Sequence, residues 1–325
     1  MQDEPEPIPV ELAGPQPVPW LPPRQLVWPP ERRPFRSLLV AIGLFVVTAF
    51  STLAAGAQFA AAYAANESPG LDRFFADYFR PFAEPRLFFS GIPFALTLMG
   101  ILLAHELGHF FACRHYHINA TYPYFIPAPT LIGTLGAFIR IRSPIFNRRA
   151  LFDMALAGPL VGFSIAAPAL ALAILFSKVI PASAPSPSLV FGQPLIEKLL
   201  ELVLRPGVAH THLLLHPVGR AAWVGLFATA LNLLPAGQLD GGHILYAVAS
   251  EHHRRVSFGV ALLLVPLGVK FWAGWMVWAV LLVAIGFRHP PLIDRWEPLD
   301  SRRRIWSGVA LMIFILCFMP APFVL

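Results

Sequence analysis

The chain repeatedly produces apolar runs long enough to cross a bilayer, and this restricts its possible folds more than any other feature. Spanning the hydrocarbon takes roughly 20 predominantly apolar residues in a helix, and in lipid only helices or closed barrels satisfy every backbone N–H and C=O. Ser37 to Tyr63, Leu87 to Cys113, Leu151 to Phe176 and Ala221 to Val248 each qualify. Val256 to Leu267 and Phe271 to Phe287 read as a shorter helical hairpin turning near Gly268 to Lys270, and Trp306 to Leu325 closes the chain. Composition agrees, since 56% of the 325 residues are hydrophobic and 13% are charged, against about 25% charged in a soluble domain. The pattern predicts an all-α polytopic membrane protein with about seven transmembrane helices.

Charge gives the orientation. With a cytoplasmic N-terminus, 16 of the 24 lysines and arginines fall in inside segments, the bias expected of cytoplasmic loops. The basic balance is then topological and calls for no nucleic acid. The 43 residues from Ser177 to Gly219 face outward in this arrangement. Residues 1–36 are dense in proline and read as an extended cytoplasmic tail without a core of its own. They begin with acidic residues, unlike a transit peptide, and the first apolar run is too long for a signal-peptide core. Residues 37–86 then hold the first transmembrane helix and an external loop, 87–248 a membrane core, and 249–325 the C-terminal transmembrane helices. Cys113 and Cys317 both lie in apolar segments, which gives neither a disulfide framework nor a Cys-based metal site. A multi-pass protein of a bacterial cytoplasmic (inner) membrane is expected.

The second apolar run contains ILLAHELGHFFAC, residues 101–113, with three ionisable side chains in it. Each costs roughly 2.5–3.5 kcal/mol at a membrane-helix centre, so such groups are functional candidates by default. Residues i and i+4 share a helix face, so His105 and His109 can offer two imidazoles to one metal, with Glu106 beside them. Zinc accepts neutral imidazole and keeps an open position for water in catalytic sites. Glu106 is placed to take a proton from that water and later to donate it. Packing or pore-lining polar residues are the competing reading. Gly100 and Gly108 can admit a neighbouring helix or a substrate backbone, or can serve ordinary packing.

Two histidines leave a site incomplete. In ALNLLPAGQLDGGHILY, residues 230–246, Pro235, Gly237, Gly241 and Gly242 break an apolar helix around Asp240. Irregular backbone at membrane depth is tolerated where it lines a cavity, and Asp240 is the third ligand this reading selects. Together, HELGH at 105–109 and NLLPAGQLDGG at 232–242 resemble the site-2 protease family of intramembrane zinc metalloproteases, peptidase family M50. That family joins an H-E-x-x-H helix to a later N-x-x-P-x-x-x-x-D-G segment, which Asn232, Pro235, Asp240 and Gly241 fill. GTLGAFIRIRSP, residues 133–144, is similar to the family's membrane-associated hairpin, which places a small β-hairpin between the second and third transmembrane helices. DMALAGPLVGF, residues 153–163, is similar to the small-residue start of its third core helix. The spacing resembles the plant and cyanobacterial branch. The resemblance covers Leu87 to Val248 and implies one zinc ion per chain held by His105, His109 and Asp240. It further implies Glu106 as acid/base and Asn232 as a substrate- or oxyanion-binding side chain. An interhelical hydrogen bond is the alternative for Asn232.

GAFIRIR also alternates in character as a half-exposed strand does. A strand edge can add an extended peptide, so Gly133 to Arg142, with Gly133, Thr134, Gly136 and Phe138 as substrate contacts, is expected to clamp an unwound substrate. A loop whose arginines only set topology is the rival reading. His243 is a candidate second-layer partner of the metal site. His115 and His117, His210, His212 and His216, and His252 and His253 are expected to be ordinary loop histidines. The function expected is hydrolysis of a membrane-embedded segment of a partner protein near the inner side of the bilayer. A silent scaffold and a metal or proton transporter are the alternatives, and a transporter's paired broken helices have one counterpart here.

Overall fold

The computed structural model describes residues 35–67, 70, 74, 76–180, 190–209, 212–287, 289–290, 292–294 and 297–324. The proline-rich tail through residue 34 and His210 lie outside the described residues.

The chain is mainly helical. Helix α1 (Phe35–Ala65) is followed by two short turns, α2 (Arg80–Ala83) and α3 (Pro85–Ser90), then α4 (Ile92–His115). Strands β1 (Tyr124–Pro127) and β2 (Thr134–Phe138) lead to α5 (Arg148–Phe176) and to a segment holding β3 (Lys178–Val179), β4 (Val190–Phe191), α6 (Leu195–Leu204) and β5 (Leu213–Leu214). Helices α7 (Pro217–Asn232), α8 (Asp240–Ala249), α9 (His253–Lys270), α10 (Gly274–Ile285) and α11 (Ser301–Cys317) follow, ending in β6 (Phe323–Val324). Three of these helices, α1, α4 and α5, are long and apolar enough to cross a membrane by length and composition.

Three expectations shift. The fourth apolar run, Ala221 to Val248, is two helices, α7 and α8, neither reaching the roughly 20 residues of a full span. The hairpin turns at Phe271–Ala273 rather than at Gly268 to Lys270, and Gly268, still within α9, lies close against Met276 of α10. The last run is helical only to Cys317, where the backbone turns extended ahead of Pro320 and Pro322, residues without an N–H to continue a helix. The Ser177 to Gly219 segment also carries structure: β3 pairs with β5, and β4 with the C-terminal β6.

Helix α5 is central, packed against α4, α7 and α8. Asn147 starts it, accepting the Ala150 N–H at 2.9 Å, a favoured N-cap arrangement. Strands β1 and β2 form an antiparallel hairpin between α4 and α5, with Tyr124 opposite Phe138 and Phe125 opposite Ala137. A bridge between Ala120 and Ile141 continues the pairing past β2. Helix α1 covers the β1 side, and Ser51 Oγ donates to the Gly133 carbonyl at 2.6 Å. That leaves the β2 side of the hairpin turned toward α4. Arg303 at the start of α11 donates to Asp153 of α5 at 2.7 Å and also pairs with Asp300. These hydrogen bonds raise its guanidinium pKa above the ordinary value, the Asp153 bond most. Cys113 and Cys317 are buried, and neither forms a disulfide among the described residues.

Candidate metal centre

Helical periodicity sets half of the site. His105 and His109 are four residues apart on α4, both buried, with Nε2 atoms 3.1 Å apart. Asp240 is the first residue of α8, and its Oδ2 lies 3.3 Å from His105 Nε2 and 3.2 Å from His109 Nε2. The same three atoms therefore close a nearly equilateral triangle. Ligand atoms at about 2.0–2.1 Å from a tetrahedral zinc are separated by about 3.3 Å, so this donor set fits one face of a zinc coordination sphere. Among the described residues it is the one group of three or more such side chains able to hold a metal.

The tautomer is also set. His109 Nδ1 donates to the Met154 carbonyl of α5 at 2.7 Å, which leaves its Nε2 lone pair free for a metal, as a partner behind a ligating imidazole normally does. Glu106 is buried, its carboxylate facing the backbone N–H of Ile139 beyond β2. Asn232, the last residue of α7, brings Nδ2 to 3.3 Å from His105 Nε2.

Asp240 arrives by a different route. Between α7 and α8 the chain makes a tight reversal with Gly237 at φ 57°. A Cβ at Gly241 would meet the Leu233 carbonyl oxygen at 2.1 Å, and one at Gly242 the Gly237 carbonyl oxygen at 2.5 Å. Only glycine lets α8 begin so close to the end of α7. The turn is pinned from α9, where Ser257 Oγ accepts the Gly237 N–H at 3.1 Å and His253 Nε2 donates to the Gly237 carbonyl at 3.0 Å.

A cavity of about 190 Å³ joins these parts, lined by Glu106, Phe138, Ile139, Asn232, Asp240 and His243 among others. Phe138 is thus at the site. Gly133 and Thr134 are not in its lining: Gly133 abuts Ser51 of α1, and buried Thr134 donates to the Ile126 carbonyl at 2.9 Å within the hairpin. Gly136 has φ 103° and an open surrounding. The residues of this stretch that line the cavity are Ala137, Phe138, Ile139 and Ile141, and Gly136 is not among them. Gly108 abuts the Ala157 carbonyl of α5, while nothing surrounds the Cβ direction of Gly100.

Other residues had escaped a reading of the sequence. A Cβ at Gly158 would lie 2.1 Å from His109 Nε2, and one at Gly162 3.1 Å from His105 Nδ1. Two glycines four apart on α5 thus make room for the two rings. The spacing within DMALAGPLVGF was a visible signal for them. His253, expected to be a loop histidine, is buried, and His216 caps α7 by accepting the Val218 N–H at 3.2 Å. His289, in the segment after α10, lies 2.8 Å from His243 Nδ1 through its Nε2. No periodicity pointed to it.

Two imidazoles one helical turn apart, a carboxylate from another helix and a glutamate lining the same cavity define the class of zinc metallopeptidase sites, here in a chain with membrane-length helices. Comparison places it further: the profile of peptidase family M50 matches residues 93–271, and the chain belongs to that family. It is 33% identical to a probable zinc metalloprotease EGY1, chloroplastic, of Arabidopsis thaliana over 71% of this chain and 43% of the relative. It is 31% identical to a probable EGY2, chloroplastic, of Oryza sativa subsp. indica over 72% of this chain and 43% of the relative. A probable EGY1, chloroplastic, of Oryza sativa subsp. japonica is 30% identical over 87% and 50%. The chain spans half or less of the length of these curated relatives. Their chloroplast names give no support to the bacterial inner membrane expected above. No solved structure matches.

Proposed function

We propose that the chain is an intramembrane zinc endopeptidase hydrolysing a peptide bond in or near a transmembrane segment of a substrate protein, as in regulated intramembrane proteolysis. The observation that carries the reading is the triangle of His105, His109 and Asp240 with Glu106 beside it in a membrane-length helix. These three side chains would hold one zinc per chain and leave a position open. Bound there, zinc supplies Lewis acidity, lowering the pKa of water to about 7 and polarising the scissile carbonyl. Glu106 takes the proton from the attacking water and returns it to the leaving amine. Asn232 Nδ2 is a fixed donor for the developing oxyanion.

A transmembrane substrate helix hides its amides and must unwind to be cut. The side of β2 left open by α1, with Phe138 and Ile139 lining the cavity, supports addition of the unwound segment as a further strand. Proline at Ile139 should abolish cleavage and spare zinc. The reading takes α7 and α8 together as one broken span among about seven, the N-terminus as cytoplasmic, and the cut as near the inner side of the bilayer. Its partners are the lipid bilayer and a membrane protein with a transmembrane helix.

The test is zinc content of the detergent-solubilised protein beside cleavage of a model transmembrane substrate. Glu106→Gln should keep zinc and lose cleavage by about 10²–10⁴-fold, and Asp240→Ala should lose the metal. Zinc retained by the wild type with no substrate cut would favour a scaffold or transporter instead, and absence of zinc would overturn the metal assignment.

A further inference from the structure

The cavity has a second wall that the chemistry above does not use. His243 is three residues after Asp240, on the same face of α8, and lines the same cavity as Phe138 and Ile139. Its Nδ1 is 2.8 Å from His289 Nε2. His289 is itself held firmly: it stacks on Tyr246 with ring centroids 4.0 Å apart and planes 13° apart, and lies edge-on to His253 at 5.8 Å. Its Nδ1 is 2.6 Å from the Pro290 carbonyl oxygen.

That chain of contacts sets where the protons sit. A carbonyl only accepts, so His289 Nδ1 carries the hydrogen. Burial pushes the His289 ring down to about 4, so it is neutral near pH 7 and its Nε2 is a bare acceptor. His243 Nδ1 must then be the donor between them. In neutral His243 the remaining nitrogen, Nε2, is an acceptor, and no protein group among the described residues engages it.

An extended peptide needs such an acceptor. Along a strand, successive residues point their N–H and C=O groups to opposite sides. A substrate segment added to β2 satisfies one set against the hairpin and turns the other away from it, into the cavity that His243 also lines. An N–H left there without a partner costs about 1–3 kcal/mol when buried. We propose that His243 is a substrate-contacting residue whose Nε2, presented as an acceptor by the positioning residue His289, takes a hydrogen bond from a substrate backbone N–H beside the scissile bond. This rests on the zinc endopeptidase reading.

Zinc-directed peptide hydroxamates test it without a known substrate. The probes are one apolar tripeptide hydroxamate and its analogues, each N-methylated at a single backbone amide, bound to the full zinc-loaded chain in detergent. In the wild type, methylation at one position should weaken binding by about 3- to 10-fold for the hydrogen bond lost to His243. In His243→Phe that penalty should fall below about twofold, while penalties at the other positions persist. His289→Phe, which keeps a ring to stack on Tyr246, should shrink the same penalty with zinc content unchanged, and it carries the test if His243→Phe loses zinc. His243→Gln, which retains an acceptor, should restore part of it. Equal penalties in wild type and variants at every position would mean that His243 only packs, and would overturn the inference alone. No zinc-dependent binding in the wild type would overturn the metallopeptidase reading and the inference together.

Discussion

The two halves of the candidate metal site are built in opposite ways. On α4 a single straight helix supplies His105, Glu106 and His109, and the five residues already contain their relative geometry because one helical turn separates i from i+4. Between α7 and α8 the chain supplies Asn232 and Asp240 from either side of a reversal whose shape depends on carbonyl contacts at Gly241 and Gly242 and on Ser257 and His253 reaching in from α9. The first half is local and needs only room. The second is tertiary and needs a scaffold. Both meet on α5, whose Gly158 and Gly162 admit the rings and whose Met154 carbonyl orients one of them.

Four substitutions sharpen that contrast. The largest effect is expected at the ligands themselves: His109→Ala and Asp240→Ala should each weaken zinc binding beyond the 10- to 100-fold typical of losing an outer partner, measured by competition with a chromogenic chelator. If Asp240→Ala binds zinc as the wild type does, the turn half is not part of the site. Next comes Gly158→Ala, whose methyl would sit 2.1 Å from His109 Nε2. Displacing the ring should lower zinc affinity about 10- to 100-fold, with helix content by circular dichroism unchanged. Gly100→Ala is its control, because nothing occupies that space, and it should leave affinity unaltered.

The turn half responds in stability as well. Gly242→Ala sets a methyl 2.5 Å from the Gly237 carbonyl oxygen and should destabilise the fold by about 1–3 kcal/mol, the usual cost of overpacking, seen as a lower Tm in detergent. A change no larger than that of Gly100→Ala would show that the reversal has slack. The smallest effect is expected at Ser257→Ala, which removes the acceptor of the Gly237 N–H and should cost about 1 kcal/mol. Zinc affinity should fall slightly in this variant, since Asp240 is three residues further on, and an unchanged value would mean that α9 does not position the ligand.

Legibility followed the same division. The long apolar runs over α1, α4 and α5 were plain, because bilayer thickness sets a length that composition alone can meet. HELGH offered two candidate ligands and a candidate base by spacing within one helix. Asp240 was legible because a carboxylate amid prolines and glycines in an apolar run has few other uses. The broken span was harder to delimit, since hydropathy averages across the reversal and reads α7 and α8 as one run. The register of the β1–β2 hairpin was not legible. Alternation in GAFIRIR does not say which residues face α1 and which face the metal, and the contacts assign Gly133 to the former and Phe138 to the latter.

By itself, the sequence determined the class of solvent the helices suit and the chemistry of the donors, because apolar length and residue type are properties of single segments. Only the tertiary structure decided which glycines make room for the histidines, that His253 and Ser257 brace the turn, and that His289 stands behind His243. Each of these depends on segments far apart in the chain coming within a few ångströms, and no local period records such a meeting.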